Sequence, residues 1–166
     1  MADNYRSFGA CVLYYSVWVD MIPIDGLKYS CMTELDWDEI EHFDQEEFEH
    51  PNWLDKGLIF TLDEMREYVG RPFKIHCDFE FRETFSWHSY GFAIDGHFEG
   101  LHPFDQYQAA CRFDDFNGVG FYLWWVHPGI HLDTRPREKT EHDARWFSPK
   151  KGVYLPITAE NLRRYL

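Results

Sequence analysis

The sequence predicts an α+β domain, a small antiparallel sheet flanked by helices. Three observations lead there. Strand-like segments fall at residues 73–79, 92–98, 119–126 and 130–134. Helix signals stand before and between them, in Thr61-Leu62-Asp63-Glu64 closed by Gly70, and from Pro103 to Cys111. At 166 residues the chain is one domain by length and can bury a sizeable core. Helices set before and between antiparallel strands give that fold class.

In chain order, Phe8 to Val19 reads as a buried strand, being rich in β-branched and aromatic residues. An export signal is the rival for this segment. Its basic flank is a single Arg6 offset by Asp3, and no small-residue cleavage site follows before Asp20. The stretch is also too short to span a bilayer. The expectation is therefore a chain made in a cytoplasm without a recognisable signal peptide, and without an integral membrane segment. Pro23 to Gly26 is a turn, and residues 34–49 read as one or two acidic helices ended by Pro51. Thr61 is expected as an N-cap with Glu64 completing a capping box, while Leu62, Met65 and Tyr68 follow helical spacing. Proline at the first turn opens the next helix, and a last helix covers about Thr158 to Tyr165. No repeat, low-complexity run or Ser/Gly linker divides the chain, so 1–166 reads as a single domain.

Composition narrows the function classes. A formal charge of −13 argues against a nucleic-acid ligand, because phosphate contacts need clustered Lys and Arg. Aromatics are 19% of residues, so large rigid side chains must do much of the packing, with some left to line a groove. The cysteines, Cys11, Cys31, Cys77 and Cys111, are widely spaced without a Cys-x-x-Cys pair. That excludes a zinc ribbon and favours buried free thiols, a disulfide remaining open for a protein working outside a cytoplasm.

The chemistry concentrates in Ser86-Trp87-His88-Ser89-Tyr90-Gly91-Phe92-Ala93-Ile94-Asp95. His88 can sit on an incoming turn, Gly91 lets the backbone bend, and Ala93 leaves room beside a metal. Phe92 and Ile94 then face the core while Asp95 points the other way. Downstream, Gly129-Ile130-His131-Leu132-Asp133 supplies a second imidazole. Two imidazoles and one carboxylate are the protein half of a catalytic zinc site, whose fourth position stays open.

The ten-residue segment resembles the Ser-x-His-x-x-Gly-x-Ala-x-Asp signature of the D-alanyl-D-alanine carboxypeptidase-like zinc peptidases, peptidoglycan enzymes related in fold to the hedgehog signalling domain. Other pieces follow in that family's order. Asn117 to Tyr122 resembles the glycine-rich turn and strand before the last ligand, and Ala144-Arg145-Trp146 the Arg-Trp that commonly follows it. Leu62 to Arg66 and Arg71 to Ile75 resemble the preceding helix and strand. The resemblance covers residues 43–147 and leaves residues 1–42 as an N-terminal strand extension.

It implies one zinc ion held by His88, Asp95 and His131. Asp133 projects from the face of His131 and can take that imidazole's other N–H; its rival reading is a solvent-facing acid beside Arg135. Branches of the family carry an acid three residues before the last histidine, and Pro128 stands there. His127 and His97 are the two candidates for proton transfer or oxyanion stabilisation. Arg82 resembles an arginine that grips substrate, its rival reading being an ion pair with Glu80 or Glu83. Trp124 and Trp125 are candidates for a groove wall, one of them expected to face the core.

The resemblance implies zinc-dependent hydrolysis of a peptide bond in peptidoglycan stem peptides, by a carboxypeptidase or an endopeptidase. Lacking an export signal, such an enzyme would resemble a phage lytic protein that acts at the cell wall, brought there by a virion or released with a holin. Three alternatives stand beside it. One is a metal-bearing but inactive domain that binds cell wall or protein, and a second is an acidic decoy for a basic surface. The third is an iron(II) oxygenase built on His131-x-Asp133, for which only His142 follows as a distal histidine.

Overall fold

In the computed structural model the described residues are 35–136 and 143–166. The expected strand 8–19, the turn at 23–26, Cys11, Cys31 and His142 lie outside them.

The described chain is α+β, and its strands form one six-stranded sheet. Helix α1 spans Lys56–Val69, α2 Pro103–Ala110 and α3 Ala159–Tyr165. The strands are β1 Phe73–Cys77, β2 Ala93–Phe98, β3 Gly118–Tyr122, β4 Gly129–Asp133, β5 Ala144–Lys150 and β6 Val153–Pro156. Their order across the sheet is β1-β2-β4-β3-β5-β6.

The sheet is mixed rather than wholly antiparallel, because β3 and β5 run parallel. Asp133 and Ala144 both sit opposite Gly118, so the chain leaves β4 and enters β5 at the same end of the sheet. Strand β5 then runs in β3's own direction. Strands β5 and β6 are a gain over the sequence reading, which used Arg145 and Trp146 only as a motif. Lys150 pairs with Val153 across Lys151 and Gly152, and Gly152 has φ 76 as a tight turn requires. Pro149 fits because the β5–β6 register is irregular between Phe147 and Lys150.

Helix α1 begins earlier than the capping box predicts. Asp55 is the N-cap and its carboxylate accepts from the Leu58 amide at 3.2 Å. Thr61 is interior, its hydroxyl donating to the Gly57 carbonyl at 2.8 Å. Leu58 and Ile59 extend the apolar stripe of Leu62 and Met65 backwards, and burial of that stripe sets the start. Each such side chain contributes about 1.5–3 kcal/mol. The end is as expected, at Gly70 in the left-handed region.

Residues 35–54 are not acidic α-helices but three short 3-10 turns, Trp37–Glu39, Gln45–Glu47 and Pro51–Trp53. The buried apolar residues here are Ile40, Phe43, Phe48 and Leu54, a spacing that would suit one helical face, so the reason for the short turns lies in local hydrogen bonds. Asp36 caps the first turn, Asp44 boxes with Glu47 in the second, and buried Asp63 on α1 accepts from the Glu41 and His42 amides. These local bonds compete with a continuous helix.

One cluster joins Leu58, Leu62 and Met65 to Phe73, Ile94, Phe98, Phe121, Ile130 and Leu132. Helix α2 packs on β3 and β4, and its fully buried Gln106 ties it to β2 by accepting from the Phe98 amide at 2.9 Å. All of this occupies one face of the sheet, which leaves the opposite face to carry chemistry. There the register aligns Cys77, Asp95, His131, Gly120, Trp146 and Pro156 in a single row, one from each strand. Residues in register project to the same side.

Candidate metal centre

The sheet brings three sequence-predicted ligands together. Asp95 and His131 are direct partners in the β2–β4 ladder. His88 reaches them from a 3-10 turn, Trp87–Tyr90, that closes on Gly91 at φ 74. No side chain would fit at that glycine, since a Cβ would lie 2.0 Å from the Trp53 carbonyl oxygen. His88 Nε2 stands 3.3 Å from His131 Nδ1 and 3.3 Å from Asp95 Oδ1. His131 Nδ1 is 2.7 Å from Asp95 Oδ1. Donors at zinc-ligand distance around a tetrahedral centre lie about 3.3–3.4 Å apart. Two edges of the triangle already match, and the third is drawn in by a hydrogen bond. His88 and His131 are buried and Asp95 is nearly so, its side chain 15% exposed.

Each imidazole is oriented by an acceptor behind it. The Asp78 backbone carbonyl accepts from His88 Nδ1 at 3.1 Å, which leaves Nε2 facing the centre. Asp133 Oδ2 accepts from His131 Nε2 at 2.9 Å, which leaves Nδ1 facing the centre. A carbonyl or carboxylate can only accept, so each ring has a place for an N–H turned away from the centre, and a metal there would replace the proton now shared with Asp95. Asp133 is completely buried and is also held by Arg135, through Nε at 2.5 Å and through Nη2. Of its two sequence readings, the partner to His131 is the one present, and Arg135 completes it.

The glycines of β3 explain themselves against this face. A Cβ at Gly118 would lie 2.0 Å from Asp133 Oδ2, and one at Gly120 2.2 Å from the Trp146 ring. Two side chains lie across strand positions that must therefore be bare. Trp146 in turn packs 5.3 Å from His131, centroid to centroid, and donates to the Tyr122 hydroxyl at 3.2 Å.

Electrostatics bind the cluster tightly. Burial works against a charged imidazole, yet hydrogen bonds and charge from the carboxylates raise His88 and His131 to about 9. For Asp95 burial again opposes ionisation, and hydrogen bonds from His131 and His88 hold its carboxyl well below the usual range. Asp133 is likewise buried, and Arg135 and His131 lower it to about 2. Two carboxylates here demand positive charge, which protons or a metal ion supply.

The other predicted residues stand at the margin. Arg82 pairs with Glu80, with Nε 2.6 Å from Oε2. Burial disfavours its charge, but that bond and Glu80's charge raise its pKa. The pair sits on a loop tied to the His88 turn, for Ser89 Oγ donates to the Glu80 carbonyl at 2.7 Å. His127 is exposed and stacks on His97, with ring planes 9° apart. Strand β3 ends at Tyr122, not 126, and neither Trp124 nor Trp125 enters the core. Trp124 donates to Ser148 Oγ at 2.8 Å, and Trp125 stacks on Tyr122 at 4.1 Å. Of the described cysteines, Cys77 is half-buried with Sγ 3.8 Å from His88 Nδ1, and Cys111 is exposed rather than buried; both are free thiols.

Sequence reasoning missed two contributors. His76 shares this face by alternation with Lys74, the partner of His97, and the β1–β2 register shift between Ile75 and Cys77 turns Cys77 to the same side. Asp78 was missed as well. Its carboxylate holds the amides of His50 at 2.8 Å and Phe79 at 2.5 Å, which fixes the carbonyl behind His88. Glu49, His50 and Asp78 also form a group of metal-ligating type, but Asp78's oxygens are engaged in these bonds and with the His50 ring. Among the described residues no helix is long and apolar enough to cross a membrane. Compared with family models, curated proteins and solved structures, the chain matches none.

Proposed function

We propose that this protein is a zinc peptidase of the D-alanyl-D-alanine carboxypeptidase-like type, cutting peptide bonds in peptidoglycan stem peptides. One observation carries the reading. His88, Asp95 and His131 converge, each imidazole with an acceptor behind it for the N–H that points away, a donor set suited to zinc with a position left for substrate. Zinc bound there supplies a Lewis acid for the scissile carbonyl and lowers the pKa of a water.

The chain's own residues do the rest. Asp133 and the Asp78 carbonyl hold the two imidazoles in register with the scissile bond. With Pro128 in place of an acid, His127 takes the proton of the attacking water at a ring nitrogen and returns it to the leaving amine, His97 being the alternative. Arg82 exchanges Glu80 for a carboxylate of the stem peptide. Trp125, Tyr122 and Trp146 line the face beside them. Access to the wall depends on a partner such as a virion or a holin.

The test is digestion of sacculi by the zinc-loaded chain. New amino or carboxyl termini without new reducing ends are expected, and both should vanish in His131→Ala together with the tight zinc equivalent. Tight zinc binding without any product from several wall types would replace this reading with a metal-bearing, inactive binding domain.

A further inference from the structure

A second group of imidazoles lies on the face that carries Asp95, and the His88–Asp95–His131 set does not use it as ligands. His76 Nε2 and His97 Nδ1 are 2.7 Å apart. His127 stacks on His97 with centroids 5.2 Å apart, and its ring lies 6.3 Å from that of His76. Three separate pieces of chain deliver them: the β1 bulge, strand β2, and the loop between β3 and β4. Trp125 meets the His76 ring edge-on at 5.5 Å while stacking on Tyr122, so this imidazole is held from the side. Gly129 stays bare because a Cβ there would lie 2.1 Å from the Gly96 carbonyl oxygen and 2.9 Å from His97 Cβ. Burial, and then the neighbouring imidazoles, lower the pKa of both His76 and His97.

We propose that His76, His97 and His127 form a second metal site, for a borderline divalent ion such as zinc or copper. His76 and His97 are joined by a hydrogen bond whose proton the ion would replace, and exposed His127 would turn from its stacked position to complete the set. Nitrogen-only donors suit Zn²⁺, Cu²⁺ and Ni²⁺ and not Mg²⁺ or Ca²⁺, which take oxygen. His97 is two residues along β2 from Asp95, about 7 Å by strand rise. Paired ions that share a substrate sit about 3.5–4 Å apart, so this ion acts alone. More exposed and without a carboxylate ligand, the site fills after the first. The inference does not rest on the peptidase reading, and an ion bound here would withdraw His127 and His97 from proton transfer.

The experiment is calorimetric titration of the full chain, already carrying one zinc, with further Zn²⁺ at pH 7.5. A second, weaker equivalent is expected. His76→Gln/His97→Gln should lose it or weaken it at least tenfold while keeping the first zinc and the melting temperature. His127→Gln, in an exposed loop where folding is not at stake, should weaken it less. Mg²⁺ should give no binding heat, and Cu²⁺ at the second equivalent should show nitrogen superhyperfine splitting. A wild-type chain that stops at one zinc, or a second equivalent that survives in the double variant with unchanged affinity, overturns the proposal.

Discussion

Replacing Asp133 with Asn changes one oxygen to an amide nitrogen and should reverse the tautomer of a ligand. Oδ2 accepts from His131 Nε2 at 2.9 Å and from Arg135 Nη2, while Oδ1 accepts from the Arg135 amide at 3.2 Å and Nε at 2.5 Å. In Asp133→Asn, an amide nitrogen toward His131 forces that ring to accept at Nε2 and carry its proton on Nδ1, the nitrogen facing Asp95. Turned the other way, the amide sets its NH₂ against the guanidinium, and Arg135 loses half its partner. Either arrangement is costly. Loss of the group that orients a metal-bound histidine typically lowers affinity about 10–100-fold, or about 1.4–2.8 kcal/mol. Breaking a buried pair costs about 3–5 kcal/mol, and since the Arg135 side chain is 26% exposed the lower end applies here. Zinc affinity is read by competition with a chromophoric chelator, stability by melting the chelated protein, and the tautomer by ¹⁵N shifts of His131. Gly118→Ala, which drives a Cβ into the same carboxylate, should reproduce the affinity loss without changing any donor. Unaltered zinc affinity in Asp133→Asn, alongside reduced stability, would refute the view that this carboxylate selects the ligand nitrogen.

Two further outcomes are expected. In the metal-free chain His88 and His131 have folded pKa values of about 9 against an ordinary 6.5, so their contribution is fully present below pH 6.5 and lost as pH rises through 9. Asp95 is depressed, so its contribution is lost as pH falls through the acid range. The chelated protein should therefore melt progressively lower from pH 6.5 to 9.5 while the zinc-loaded protein does not, and zinc binding at pH 7 should release protons; equal pH profiles for the two forms would contradict this. His127→Ala should keep the first zinc and the fold but lose about 10²–10⁴-fold in turnover, with His127→Gln recovering little; a wild-type rate moves the proton-transfer role to His97.

The centre was legible because its pieces obey simple periods. Asp95 and His97 alternate with Ile94 and Gly96, and His131 and Asp133 with Ile130 and Leu132, so strand parity alone places the polar members on one face. What remained hidden depends on departures from parity or on backbone. Cys77 needs the register shift in β1 to face Asp95, and Asp78 acts through a carbonyl that any residue possesses. Strand β5 holds Arg145, Pro149 and Lys150, which mask its alternation, and it becomes part of the sheet only through its parallel pairing with β3. The acidic segment misled because Ile40, Phe43 and Phe48 keep a helix-compatible spacing, while Asp36, Asp44 and Asp63 hold the backbone in short turns.

The order of strands bears on when an ion can be taken up during biogenesis. His88 and Asp95 are neighbours along the chain, but His131 lies 36 residues beyond Asp95 and 43 beyond His88. It arrives only when β4 inserts between β2 and β3, a non-local pairing that must await helix α2 and the whole of β3. Such pairings form late, since loop closure must precede their reward. An ion therefore has no three-donor seat on the nascent polypeptide and cannot template its collapse. Any ion that this set holds would be taken up only once β4 is in place.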